Sequence, residues 1–126
     1  MAEYTADDLF TMIAETYTKK IHLPKFTKSP YTISLISLKN QQYYFQFFWN
    51  NRQERCYLSI FKITDGVREY YLKNKMLRNG IELSKYIFKT DWDGLLVVDS
   101  ITNNFDDDYT MADIHEKFVL TYYGSD

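Results

Sequence analysis

The chain has 126 residues, 45% of them apolar and 25% charged, with 15 basic and 17 acidic side chains for a formal net charge of −2. This is enough polypeptide for one packed domain and too little for two, and the composition is that of a globular protein. It excludes the overall basic excess by which nucleic-acid binders neutralise phosphates. With no apolar run near the length of a membrane span and no signal-peptide pattern at the N-terminus, the expectation is a soluble chain made in the cytosol.

The first segment, TADDLFTMIAETYTKK, is read as an amphipathic helix ending at residue 20. Thr5 is a candidate N-cap, and Asp7 and Asp8 fall where the helix dipole favours negative charge. Leu9, Met12, Ile13 and Thr16 recur at helical spacing, with Phe10 and Tyr17 at the edge of the stripe. Pro24 and Pro30 then force extended geometry on the residues before them.

From there the chain reads as strands. YTISLISL ends in the turn KNQQ, and YYFQFFW and RCYLSIF flank NNRQE, a hairpin loop in which Asn50 and Asn51 are expected to supply positive φ. Asp65-Gly66 turns into VREYYLKNKML, and a further turn ends at Gly80. IELSKYIF is ambiguous between helix and strand, while GLLVVDSI reads as a buried strand from its unbroken apolar run. Thr110 and Asp113 resemble a capping box ahead of a helical turn, and KFVLTYY is the last strand.

The stretch from Tyr43 to Phe61 holds eight aromatic rings in nineteen positions. Alternation puts Tyr43, Phe45, Phe47 and Trp49 on one face with Cys56, Leu58 and Ile60, and leaves Tyr44, Gln46, Phe48, Tyr57, Ser59 and Phe61 on the other. Burying one such ring stabilises a fold by about 1.5–3 kcal/mol, so the all-apolar face belongs to the interior. A base-stacking platform would need a basic groove beside the rings. Arg52, Arg55, Lys62 and Arg68 are the candidates, but Glu54, Asp65 and Glu69 interrupt them. The second, mixed aromatic face is better suited to packing on another protein.

Catalytic and metal-binding sets are weak. The only histidines, His22 and His115, lie far apart in sequence, and the single cysteine, Cys56, reads as a strand residue. Asp91-Trp92-Asp93-Gly94 fails the calcium-loop pattern, since Lys89 and Ser100 would occupy its first and twelfth positions. Asp106, Asp107 and Asp108 read as a solvated loop. Four glycines in all leave no phosphate-cradling loop. Neither an enzyme nor a cofactor is expected.

The predicted fold is mostly β: a small antiparallel barrel or sandwich of about five to seven short strands, with an N-terminal helix over 1–20 and the barrel over 21–126. Its core is drawn from Phe45, Phe47, Trp49, Leu58, Ile60, Leu96, Val98 and Val119, and the helix stripe of Leu9, Phe10, Met12, Ile13 and Tyr17 either binds a partner or caps one open end of the barrel.

The order of these pieces resembles a small phage family, the baseplate plug domain of a cyanophage contractile tail. A Pro-containing lead-in and a strand precede a hairpin whose first arm ends in Trp49-Asn50 and whose second carries Tyr57, Leu58 and Ile60. Asp65-Gly66 follows, and the likeness resumes at Gly94 to Asp99 and at the closing Val119, Leu120, Tyr122 and Tyr123. Residues 1–20 have no counterpart in the family pattern. Tyr109 or Thr110 and His115 stand where the family often has Pro and Gly.

The resemblance implies a structural virion protein assembled in the host cytoplasm, with no chemistry. It would be a barrel present in several copies at the centre of a baseplate, contacting hub, tube or tape-measure subunits, with neither nucleic acid nor membrane as partner. The alternatives are a single-strand-binding barrel of the oligonucleotide-binding type and a small inhibitor of a host protein.

Overall fold

The structure is a computed structural model that describes residues 16–26, 30–101 and 109–125. Seven strands form two antiparallel sheets. β2 (Tyr31–Leu38), β3 (Gln41–Asn50), β4 (Arg55–Thr64) and β5 (Val67–Met76) make a four-stranded meander in chain order. β1 (Thr16–His22) and β6 (Leu95–Ser100) flank β7 (Phe118–Ser125) in the other sheet. A 3-10 helix, Leu83–Tyr86, precedes β6, and α1 (Ile114–Lys117) leads into β7.

The two sheets pack as an open sandwich, so the closed barrel is not formed. Closure would need ladders between the sheets, and strand pairing joins neither β1 to β2 nor β5 to β6; the sheets stay separate. The outer edge of β6 is taken by the segment before the 3-10 helix: Val98 N–H donates to the Ile81 carbonyl at 3.0 Å, and Gly80 N–H to the Val98 carbonyl at 2.9 Å. Between β1 and β2 a stitch is made by a side chain, Lys19 Nζ donating to the Ser37 carbonyl at 2.9 Å.

The N-terminal helix is not supported. Thr16 to His22 pair with β7 along their whole length, from Thr16 opposite Ser125 to His22 opposite Val119. Tyr17, opposite Gly124, therefore belongs to a sheet and not to a helical stripe. β-branched Thr16, Thr18 and Ile21 suit a strand once β7 offers a partner, and tertiary pairing overrides local propensity. Leu9, Phe10, Met12 and Ile13 lie outside the described residues.

The β3–β4 hairpin follows its alternation. Tyr43, Phe45, Phe47 and Trp49 are buried, as are Cys56, Leu58 and Ile60. The turn differs from expectation in mechanism: Glu54 takes the positive φ (54°), not Asn50 or Asn51. Asn50 acts through its side chain, whose Oδ1 accepts the Arg52 and Gln53 N–H groups at 3.0 and 3.1 Å. The β2–β3 and β4–β5 turns are two-residue connections with positive φ at both central residues, Lys39-Asn40 and Asp65-Gly66.

β5 carries two register shifts against β4. They bring consecutive Tyr71 and Leu72 into the core and put Asn74 at φ 48°. The Ser59 hydroxyl donates to Asn74 Oδ1 at 3.1 Å and accepts from Asn74 N–H at 2.9 Å, fixing the bulge. β6 is not buried on both faces: Leu96 and Val98 point inward, while Leu95 is exposed. β7 is the central strand of its sheet, and there Phe118 through Tyr122 are all buried. Val119 is among them but belongs to the far face of β7, outside the main core cluster.

Candidate interaction surface

Two aromatic clusters close the ends of the sandwich. At one end Trp92 meets Tyr43, Tyr71 and Tyr122 edge-on or tilted, with ring centroids 5.3, 6.3 and 5.9 Å away. Tyr71 donates to Asp91 Oδ2 at 2.6 Å, and Lys62 Nζ lies 5.0 and 5.5 Å from the Tyr43 and Tyr71 rings. Burial, then the Asp91 hydrogen bond and neighbouring negative charge, push the Tyr71 hydroxyl well above its ordinary range. Burial and the charges of Asp91 and Asp93 raise Tyr43 likewise. The Asp91–Gly94 turn is thus a lid on the core. Lys39, from the β2–β3 turn, ties it down through Asp93 at 2.5 Å.

At the other end Tyr109 is buried between Trp49 and Phe118, with centroids 5.8 and 5.7 Å away. Its hydroxyl accepts the Cys56 N–H at 3.1 Å and donates to the Leu77 carbonyl at 2.8 Å. It so joins the start of β4 to the end of β5. Thr110 and Asp113 form the reciprocal capping pair read from the sequence: Thr110 N–H donates to Asp113 Oδ1 at 2.6 Å, and Asp113 N–H to Thr110 Oγ1 at 3.3 Å. The cleft beside them, lined by Gln53, Glu54, Arg55, Tyr109, Thr110 and Lys117, holds about 280 Å³. That is under the size of ordinary small-molecule pockets, about 300–1,000 Å³, and its rim is polar.

The outer face of the four-stranded sheet has a different character. Cross-strand pairing aligns Leu35 with Tyr44, Phe61 and Tyr70, and aligns Tyr31 with Phe48 and Tyr57. Tyr44 stacks on Phe61 at 5.5 Å with 14° between planes, Tyr70 tilts against Phe61 at 5.4 Å, and the Arg68 guanidinium covers it at 4.4 Å. Phe61 is only 1% exposed in consequence, although it stands on the outside of the sandwich. Its faces are occupied by neighbours and are not offered to a base. Toward β2 the face opens: Tyr31, Ile33, Leu35 and Phe48 are 41–53% exposed. Apart from this face, Phe88 stands 89% exposed between the 3-10 helix and β6.

The four candidate cations are not brought together. Arg68 lies on the outer face, Lys62 at the Trp92 end, Arg55 over the Tyr109 ring at the opposite end, and Arg52 in the β3–β4 loop. His22 is exposed on β1, and His115 lies in α1 with Nε2 3.7 Å from a Glu116 carboxylate oxygen. Among the described residues no His, Cys, Asp and Glu cluster could hold a metal ion. Asp106, Asp107 and Asp108 lie outside them.

Tyr109 was missed in the sequence, and so was the close approach of the Tyr122 ring to Gly94, where a Cβ would stand 2.5 Å from the Tyr122 hydroxyl oxygen. Tyr109 falls in a polar, acidic stretch whose composition says loop, and only its ring marked it as something to bury.

No curated protein sequence matches the chain. The family described as cyanophage baseplate Pam3 plug gp18 matches residues 18–126, from within β1 past the end of β7. That span takes in the hairpin, the Gly94 turn and the closing strand together, and so the chain belongs to the cyanophage Pam3 baseplate plug gp18 family.

Proposed function

We propose that this protein is a structural part of a phage tail baseplate, where it plugs or adapts the central hub through contacts with hub, tube or tape-measure subunits. The observation that carries this reading is the family match over residues 18–126. The surface is consistent with it. A sheet face bearing Tyr31, Ile33, Leu35 and Phe48, together with the protruding Phe88, exposes large apolar side chains of the kind that protein interfaces cover. The role is structural, with no catalytic step assigned to the chain. The virion is its site of action and the host cytoplasm its place of assembly.

The test uses Phe48→Glu and Phe88→Ser, two changes at exposed rings. Both variants melt close to the parent, and phage complemented with either gives tails whose baseplates lack the protein by mass spectrometry and negative-stain imaging. Wild-type incorporation of both variants would remove these faces from the docking surface. Normal, infective baseplates formed without the protein at all would overturn the role itself.

A further inference from the structure

Four strands lie at sheet edges, and three of those edges are guarded. β5 is bulged twice and carries Arg68, Glu69, Lys73 and Lys75; β1 carries Lys19 and Lys20; β6 is overlain by residues 80–82. Charges, bulges and cover are the usual means by which natural sheets prevent edge-to-edge pairing. Among the described residues β2 has no charge of its own, no bulge and no covering strand, and its edge is reached by Lys19, at the Ser37 carbonyl. Its sequence, YTISLISL, contains no charge and no proline, and its register with β3 is unbroken from Tyr31–Phe48 to Leu38–Gln41.

The direction of its backbone groups follows from one bond. The Pro30 carbonyl accepts the Trp49 N–H at 2.6 Å, so alternation along an antiparallel strand turns the even-numbered residues toward β3. Ile33, Leu35 and Ser37 then present N–H and C=O to the open side. The Ser37 carbonyl, on that side, is the one Lys19 reaches. Ile33 and Leu35 are 41% and 53% exposed.

The residues around Ser34 mirror one another: Ile33 balances Leu35, and β-branched Thr32 balances β-branched Ile36. A two-fold interface requires this self-complementarity, because residue i meets j wherever j meets i. The geometry points to β2 pairing with β2 of a second copy of this chain, antiparallel, with Ser34 opposite Ser34. The two four-stranded sheets become one continuous sheet. Ile33 of each copy exchanges both of its edge hydrogen bonds with Leu35 of the other, about four bonds in all. Their side chains meet on the outer face, and Thr32 meets Ile36 on the inner one. No charge opposes a like charge, as it would if β1 or β5 met its own copy.

The register fixes the experiment. Ser34 meets itself at a non-hydrogen-bonded position, where Cα atoms stand about 4.5 Å apart, within the 4.4–6.8 Å span of a disulfide. In the full chain, Ser34→Cys crosslinks to a covalent dimer under mild oxidation, whereas Ser37→Cys, displaced from its own copy by the antiparallel offset, does not. Sedimentation of the parent from low micromolar to submillimolar concentration shows a monomer–dimer equilibrium. Leu35→Pro, which removes an outward N–H that β3 does not use, shifts that equilibrium at least tenfold toward monomer with little change in melting temperature. A parent that stays monomeric throughout overturns the proposal and leaves the edge for a strand of another protein. A parent dimer in which Ser34→Cys fails to crosslink, or crosslinks no better than Ser37→Cys, overturns it equally. All of this is read on the isolated chain, so its outcome is separate from that of the baseplate role.

Discussion

At Gly94 the backbone takes φ +113°, and a Cβ placed there would stand 2.5 Å from the Tyr122 hydroxyl oxygen and 2.6 Å from ring carbons. Tyr122 is held on the other side by Trp92 and donates to the Asp93 carbonyl, so it has nowhere to retreat. Gly94→Ala should therefore lower the urea midpoint by the equivalent of about 1–3 kcal/mol, with the slope unchanged. Gly66→Ala is the control, since only its φ of +77° is unfavourable and nothing lies within 4 Å. It should lose less. Cys56 supplies a second prediction. Burial pushes its thiol up from 9.0 to about 12, against a smaller lowering by a backbone hydrogen bond at Phe48. A thiol held neutral by the fold contributes stability that is intact below the unfolded pKa and is lost as pH rises through the folded one. The raised hydroxyls of Tyr71 and Tyr43 act in the same direction. Urea midpoints should hold from pH 7 to 9 and fall steeply above that, while a thiol reagent at pH 8 labels Cys56 only as fast as the protein unfolds.

Among the elements, the hairpin of β3 and β4 could be read from sequence because one physical rule, alternation, governed both arms, from Tyr43 to Trp49 and from Cys56 to Ile60. β1 could not. Thr16 and Tyr17 continue a helical stripe that begins at Leu9, and the strand conformation of residues 16–20 is imposed by Thr121 to Ser125, about a hundred positions away in the chain. Tyr71 and Leu72 were hidden for a related reason, since a bulge lets two adjacent residues face inward and defeats any period-two reading. Tyr109 shows how an irregular segment becomes structural. Its hydroxyl bridges β4 and β5 beyond the last regular pair, beside a single backbone bond from Leu77 N–H to the Cys56 carbonyl at 2.8 Å. Tyr109→Phe leaves the Cys56 N–H without that acceptor and should cost about 1–3 kcal/mol by chemical denaturation. A loss within error would mean that water substitutes there.

For the molecule as a whole, the sheet reaches back past the expected boundary at residue 21. β1 is paired with β7 from Thr16 onward. Deleting residues 1–15 should leave a folded protein with the parent's near-ultraviolet circular dichroism. Deleting 1–20 strips five residues of ladder from β7 and removes Lys19, and should unfold it or sharply lower its melting point. If the shorter deletion folds but is absent from baseplates, the amphipathic segment with Leu9, Phe10, Met12 and Ile13 is the docking element. If it still assembles, docking rests on the sheet faces.

Thr16 sits directly opposite Ser125. The polypeptide thus enters and leaves its fold at a single corner, and a turn of two residues is long enough to splice such antiparallel neighbours. A ring-closed chain reopened between Lys39 and Asn40 would keep every strand in place. Fluorescent labels or fusion partners joined directly before Thr16 and directly after Ser125 would emerge side by side.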